Sequence, residues 1–372
     1  MTKRKIINDP VYDGFLSIED PVILQVIEHP YFQRQRRIKQ LGLTYLVYPG
    51  AMHTRFSHML GALNLMKRAL ETLKQKGVEI SDEECRGAKL AILLHDIGHG
   101  PFSHTSERVL VDVPHEEITL LMMQRINEEM DGALDTAIAI FSNTYHKHFL
   151  HQLVSSQLDM DRLDYLGRDS FFTGVSEGIV GTDRIISMLN VHDDELVVDE
   201  KGIYSVEKFI ISRRLMYWQV YMHKTVIAAD QLLLSILRRA KELNLSPFTF
   251  SLSPFELDRF AEVDDDDIMV AVKHWQHSDD EILSVLCKNL VNRRLPAIRI
   301  SNAPFEGIEC DYFHGTGELH NRSYDFNDQE IKVLYKDGRC LPISEASDQL
   351  DRHFLEKQVT KYFYYSPKSN LT

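Results

Sequence analysis

The sequence predicts a mainly α-helical protein with a small mixed α+β lobe at its C-terminal end. Two observations carry that expectation. Apolar residues recur at helical spacing through most of the first three hundred positions. Strand-type runs and an Asp-Gly turn gather near the end of the chain. The 372 residues suffice for one large domain or two moderate ones, with a sizeable core.

In chain order, the first thirty residues read as a short extended piece, a turn at Asn8-Asp9-Pro10, and a helix near Asp20–Glu28. A helical run is expected from Pro30 to Leu41, carrying Arg34, Arg36, Arg37 and Lys39. A short apolar piece, Tyr45 to Tyr48, stops at Pro49-Gly50. From Thr54 to about Lys76, Phe56, Leu60, Leu63, Leu65, Met66 and Leu70 lie at helical spacing. Ser81-Asp82-Glu83-Glu84 is a helix-start signal, and the helix it opens ends around Gly98 or Gly100. Further helices are expected at 115–130, 132–142, 149–166, 205–243 and 280–293. Glu195–Asp199 and Gly202–Tyr204 are read as a hairpin around Glu200-Lys201. Ile331–Tyr335 and Cys340–Ile343 form a second hairpin through Lys336-Asp337-Gly338. The acidic run Asp264–Asp267 is a solvated loop or a helix start.

Composition narrows the function classes. No stretch approaches the roughly 20 uninterrupted apolar residues of a membrane span, and no apolar h-region follows the basic start Met1-Thr2-Lys3-Arg4. The four cysteines, Cys85, Cys287, Cys310 and Cys340, form no CxxC pair and read as free thiols of a cytoplasmic protein. A net charge of −13 argues against broad capture of nucleic acid. A small anionic ligand needs only a local cationic pocket, because distant charges are screened within about 8 Å.

The strongest motif is His95-Asp96-Ile97-Gly98-His99-Gly100-Pro101-Phe102-Ser103-His104, at the end of an apolar helix. Adjacent helical residues differ in direction by about 100°, so His95 and Asp96 can both reach one ion off the helix end. His58 lies at the start of an upstream helix, and Asp161 lies in a downstream one. Two imidazoles and two carboxylates suit Mn, Fe, Ni, Co or Mg, and lack the thiolates of a structural zinc site. A lone His-Asp pair means little; three segments together carry the inference. His99 reads as a partner of a ligand, a ligand of a second cation, or a satisfied polar residue at a helix end. His53 reads as a loop residue, and His146, Lys147, His148 and His151 as exposed surface.

The order His58 … His95-Asp96 … Asp161 resembles the H…HD…D signature of the HD superfamily. The stretch Phe32-Gln33-Arg34-Gln35-Arg36-Arg37-Ile38-Lys39-Gln40-Leu41-Gly42 is similar to the deoxynucleoside triphosphate triphosphohydrolases of that superfamily. So are Tyr48-Pro49-Gly50-Ala51, Thr54-Arg55-Phe56-Ser57-His58, Asp161-Arg162-Leu163-Asp164-Tyr165 with Arg168-Asp169, and Tyr221-Met222-His223-Lys224. No sterile-alpha-motif domain accompanies them. The resemblance implies an HD-domain helical core with extensions over residues 1–300, and the late strand signals place a small α+β lobe over 301–372. It implies His58, His95, Asp96 and Asp161 as ligands of a divalent transition metal, of Mg, or of both. His104, Glu107 and His115 would be the catalytic group, with Glu116 supporting His115; the family usually has Asp where Glu107 stands. Gln40 and Leu41 would pack on the deoxyribose and exclude a 2′-hydroxyl. Arg55, Arg162, Tyr165, Asp169, Arg213 and Tyr221 would hold phosphates and sugar. Tyr217 stands where the family often has His.

The implied reaction releases inorganic triphosphate and leaves a deoxynucleoside. The implied assembly is a homo-oligomer, dimer or tetramer, whose nucleotide activator would meet Asn8, Glu28, Gln33, Arg36 and Arg184. The strand Glu195–Asp199 lacks the basic residues of the regulated animal enzyme. Two other readings stay open: an HD phosphohydrolase of another nucleotide (a monophosphate, a cyclic nucleotide or an alarmone), and a non-catalytic nucleotide sensor or nucleic-acid-binding module.

Overall fold

The computed structural model describes residues 4–12, 14–111, 113–248, 250, 253–321, 324 and 330–368, with only the backbone at 104, 108, 254 and 255. Strands β1 (Lys5–Asn8) and β2 (Phe15–Ile18) pair antiparallel ahead of α1 (Pro21–Glu28). Asp20 caps α1 by accepting from the Val22 N–H, and Pro21 fits the first helical position.

The run from Pro30 does not stay helical to Leu41. Helix α2 ends at Arg34 (Pro30–Arg34), a 3-10 turn covers Gln35–Arg37, and Ile38 is extended at φ −113°, ψ 116°. Tertiary contacts override the local preference. The Arg34 guanidinium is drawn inward to the carbonyls of His99 and Val263, and extended Ile38 and Gln40 exchange backbone hydrogen bonds with Arg55 and His53.

The core is α3 (Arg55–Gln75) sandwiched between α4 (Asp82–Leu94) and α9 (Met160–Thr173). Met59, Ala62, Leu65, Met66 and Ala69 of α3 are fully buried, each large side chain contributing about 1.5–3 kcal/mol. Ser81 and Glu84 close a capping box on α4. Helices α5 (His104–Leu110), α6 (His115–Glu129), α7 (Asp135–Phe141) and α8 (His148–Gln152) follow. The expected helix over 149–166 is two helices. Between them Asp159 turns its carboxylate to the Arg162 N–H and starts α9 (Met160–Thr173), which Gly174 ends at φ +72°.

After α10 (Thr182–Met188), β4 (Glu195–Asp199) pairs with β3 (Leu189–His192), not with Gly202–Tyr204. Asp193 and Asp194, at φ 51° and 62°, supply the left-handed turn that a two-residue hairpin needs. Ile203 and Tyr204 open helix α11 (Ile203–Met216) instead of forming a strand. The expected helix over 205–243 is interrupted by a π turn at Tyr217–Tyr221, where the Met222 N–H reaches the Tyr217 carbonyl at 2.7 Å. It restarts as α12 (Lys224–Glu242), with the His223 ring accepting from the Thr225 N–H.

Helices α13 (Pro254–Glu262), α14 (Asp265–Trp275) and α15 (Glu281–Val291) complete the helical body. The acidic run is the start of α14, and Asp265 is fully buried. The C-terminal part is α+β, as expected. Strands β5 (Ala297–Ser301), β6 (Gly315–Asn321) and β9 (Val359–Ser366) form an antiparallel sheet in the order β5-β9-β6. Strands β7 (Lys332–Leu334) and β8 (Cys340–Pro342) form the predicted hairpin, with Gly338 at φ +87°. Strand β7 also adds in parallel to β4, tying the lobe to the helical body. Short helices α16 (Ile343–Ala346) and α17 (Arg352–Glu356) precede β9. All four cysteines are free.

Candidate metal centre

Three helices bring the ligand candidates together. His58 sits in the first turn of α3, His95 and Asp96 at the end of α4, and Asp161 in the first turn of α9. Donor atoms of His58, His95 and Asp161 all lie within 4.8 Å of one another. Asp161 Oδ1 is 3.0 Å from His58 Nε2 and 3.3 Å from His95 Nε2. Asp96 borders the same space, 3.7 Å from His58 Nε2 and 3.4 Å from His95 Nε2.

Each imidazole is oriented by its other nitrogen. His95 Nδ1 meets the Ile92 carbonyl at 2.7 Å, and His58 Nδ1 meets Asp164 Oδ2 at 2.7 Å. Both contacts place the proton on Nδ1 and leave Nε2 as the ligating atom. The two Nε2 atoms are buried and make no hydrogen bond of adequate geometry, although Asp161 is close. Two buried imidazole nitrogens aimed at two carboxylates are the donor set of a divalent cation site, so the residues fit a metal.

Electrostatics agree. Burial opposes charge on His58, but Asp161 and Asp164 outweigh it and push the imidazole up to about 10. His95 is raised in the same way, against burial, by Asp96 and Asp161. Burial opposes charge on Asp96 and Asp161 too, and the facing His95, with Arg55 or His58, holds both well below the usual carboxylate range. A cation binding here displaces protons from two imidazoles that are both raised above the ordinary value. Its apparent affinity should therefore rise with pH, by about tenfold per unit for each proton released. Competition titrations with Mn²⁺ at pH 6, 7 and 8 check this; an affinity independent of pH contradicts it.

A second donor group adjoins the first. Asp96, His99 and His115 also offer atoms within 4.8 Å of one another. His99 Nε2 is 3.5 Å from Asp96 Oδ1, its Nδ1 is 2.6 Å from Glu107 Oε1, and its ring stacks on His115 at 3.7 Å. Burial and then the Arg55 charge press His99 down to about 4, which keeps it neutral near pH 7. Glu107 thus reaches both His99 and His115, the latter at 3.6 Å, while Glu116 lies 3.4 Å from His115. His104 opens α5, and its side chain lies outside the described residues. Gly98 lets α6 come close: a Cβ there would stand 2.4 Å from the His115 carbonyl.

Among the other expected site residues, Arg55 is committed to Asp96 and to Ser103 Oγ, the latter at 2.7 and 3.1 Å. That bond anchors Ser103, which sits at φ 53°, ψ −134°. Arg162 is held by Asp159 at 2.7 Å. Asp161, Arg162, Arg213 and Tyr217 all act electrostatically on Tyr165, which meets the Tyr221 ring edge-on at 6.3 Å. Tyr221 donates to Asp169 Oδ2 at 2.8 Å, and His53 Nε2 approaches Asp169 Oδ1 at 2.7 Å. The Gln40 side-chain oxygen is buried with no hydrogen-bond partner among the described residues, and Leu41 is half-buried. Gln33 accepts from Arg36 at 2.9 Å, and Glu28 lies 3.9 Å from Lys5. Arg184 and Asp9 line a separate cavity of about 880 Å³, and Asn8 is exposed.

Three contributors have no site role in the sequence reading: His53, Asp164 and Asp265. His53 is in a loop, as expected, yet it is buried against Asp169. Asp265 accepts the backbone N–H groups of Lys39 and Phe102, joining two loops beside the centre. Of the His-rich stretch, His146 is exposed, but Lys147 pairs with Glu84 and His151 bonds the Ile140 carbonyl.

Comparison with known proteins decides the family. Residues 55–169 match the HD domain, and residues 180–309 match the HD associated region. A solved phosphohydrolase from Bacteroides thetaiotaomicron is 46% identical with a TM-score of 0.91, covering 98% of this chain and 100% of its own. The chain belongs to the HD superfamily. This HD protein is a metal-dependent phosphohydrolase, and HD domains bind divalent metals. It is 36% identical to the uncharacterized protein YwfO of Bacillus subtilis, over 99% of this chain and 93% of the relative. It resembles the human deoxynucleoside triphosphate triphosphohydrolase SAMHD1 at 29% identity, over 64% of this chain and 45% of that protein. The HD phosphohydrolase thus spans about half the length of its SAMHD1 relatives. Among the described residues, no helix is long and apolar enough to cross a membrane.

Proposed function

We propose that this HD phosphohydrolase converts deoxynucleoside triphosphates to the deoxynucleoside and inorganic triphosphate. One observation carries the reading. Arg162, Arg213, Tyr217 and Tyr221 gather around Tyr165, which also feels the charge of Asp161 in the candidate metal centre. Two guanidiniums and three phenols suit a polyphosphate joined to a sugar better than a single phosphate. The resemblance to SAMHD1 relatives supports the same substrate class.

His58, His95, Asp96 and Asp161 would hold the cation, which when bound supplies Lewis acidity and an activated water. Arg162 and Arg213 offset the charge of the phosphate chain. Water adds to the α-phosphorus, the bond to the 5′-oxygen breaks, and that oxygen takes a proton. His104 or His115 gives the proton, and Glu107 orients the imidazoles it touches. Gln40 offers its free carbonyl oxygen to the 3′-hydroxyl of the sugar. Leu41 closes the space that a 2′-hydroxyl would need, and Asp169, fixed by His53 and Tyr221, steadies the far wall.

The test is incubation with dATP and Mn²⁺, with ion chromatography of the products. Deoxyadenosine and triphosphate in equal amounts are expected, with ATP slower by about 10²-fold. Release of pyrophosphate, or of phosphate, overturns the reading. A nucleotide activator at Asn8, Glu28, Gln33, Arg36 and Arg184 of a homo-oligomer belongs to the same proposal. Added GTP then raises the rate, and equal rates remove the activator.

A further inference from the structure

We propose that Tyr12 and Asp9 are positioning residues for His58, acting through Asp164 and Arg168, so that docking of the N-terminal segment and cation binding are coupled. The inference rests on His58 being a metal ligand.

Asp164 is fully buried behind His58. Its Oδ2 meets His58 Nδ1 at 2.7 Å and Arg168 Nε at 2.8 Å. Its Oδ1 accepts from the Tyr12 hydroxyl at 2.7 Å and from Arg168 Nη2 at 2.9 Å. A carboxylate has about four lone-pair sites, and here every one is taken. The carboxylate that aims His58 therefore has one orientation, and Tyr12 supplies a quarter of what fixes it.

Arg168, itself fully buried, is gripped from the other side by Asp9, at 3.2 Å through Nη1 and 2.6 Å through Nη2. Asp9 also accepts the Val11 N–H at 2.9 Å, which sets the turn leading to Tyr12. An independent feature of α3 serves the same pair. Gly61 stands where a Cβ would come within 2.0 Å of Asp164 Oδ1 and 2.1 Å of Arg168 Nη2. The helix that carries His58 leaves out a side chain one turn later to admit this ion pair.

The partners are far apart in sequence, 152 residues for Tyr12 and Asp164 and 159 for Asp9 and Arg168. Asp9 and Tyr12 also line the cavity of about 880 Å³, so that cavity borders the segment Asp164 and Arg168 hold. Coupling must run both ways. If the docked segment sharpens the site for a cation, the cation tightens the segment.

Two readouts test this, neither of them turnover. Co²⁺ affinity is measured by chelator competition on wild type, Tyr12→Phe and His58→Ala. Phe15→Ala, at a 70% exposed position of the same hairpin, is the control. Hydrogen exchange of residues 5–12 is followed with and without Co²⁺. Tyr12→Phe should bind about tenfold more weakly while the metal-free protein keeps a cooperative thermal transition. Phe15→Ala should bind like wild type, and Co²⁺ should slow exchange of the segment in wild type more than in Tyr12→Phe. Wild-type affinity in Tyr12→Phe, equal weakening in Phe15→Ala, or exchange indifferent to Co²⁺ overturns the coupling alone. Binding unaffected by His58→Ala, or no binding by wild type, overturns the ligand assignment and the coupling with it.

Discussion

Asp161→Ala should lower phosphohydrolase turnover by about 10⁴-fold or more while leaving the fold intact. Asp161 supplies the carboxylate oxygen nearest both free imidazole nitrogens, at 3.0 and 3.3 Å. Removing it leaves His58 and His95 facing each other with one fewer negative charge to hold a dication. An activated water near pKa 7 is then exchanged for bulk water near 15.7, a difference of many factors of ten in rate. The side chain is 28% exposed and not part of the packed core, so the metal-free protein should still fold cooperatively. Turnover and metal content measured on the same preparation check this. Turnover within tenfold of wild type would contradict it.

Gly61→Ala should destabilise the HD core although it sits inside a helix. Helix propensity alone favours Ala over Gly by about 1 kcal/mol inside a helix. Here the added Cβ would stand 2.0 Å from Asp164 and 2.1 Å from Arg168. Both side chains are buried and bonded to each other, so neither has anywhere to go. Separating a buried ion pair costs about 3–5 kcal/mol, which outweighs the propensity gain and leaves a net loss of about 2–4 kcal/mol. Urea denaturation of the two proteins measures the difference. An unchanged or raised midpoint would show that the clash is relieved elsewhere.

Much of the site was legible because its chemistry is written in short segments. An apolar helix ending in His95-Asp96, with His99 and His104 crowded after it, is hard to explain by packing. Capping chemistry located α4 through Ser81 and Glu84, and offered the start of α14 as one reading of the acidic run. The misses share a cause: the deciding partner lies far away in the chain. Arg34 ends α2 early because it bonds Val263, 229 residues on. His53 looked like an ordinary loop residue until Asp169 arrived beside it, 116 residues later. The π turn at Tyr217–Tyr221 has no breaker residue, and it coincides with the Tyr221 bond to Asp169. The β3–β4 hairpin is different. Asp193-Asp194 is a usable turn signal, since Asp tolerates positive φ, whereas Glu200-Lys201 lies in a 3-10 turn ahead of α11.

The central claim is that α3, α4 and α9 converge on one cation. Anomalous scattering from crystals grown with Mn²⁺ tests it most directly. The expected result is a strong peak at about 2.0–2.3 Å from His58 Nε2, His95 Nε2 and carboxylate oxygens of Asp96 and Asp161. A peak elsewhere, with none between those four side chains, would contradict it.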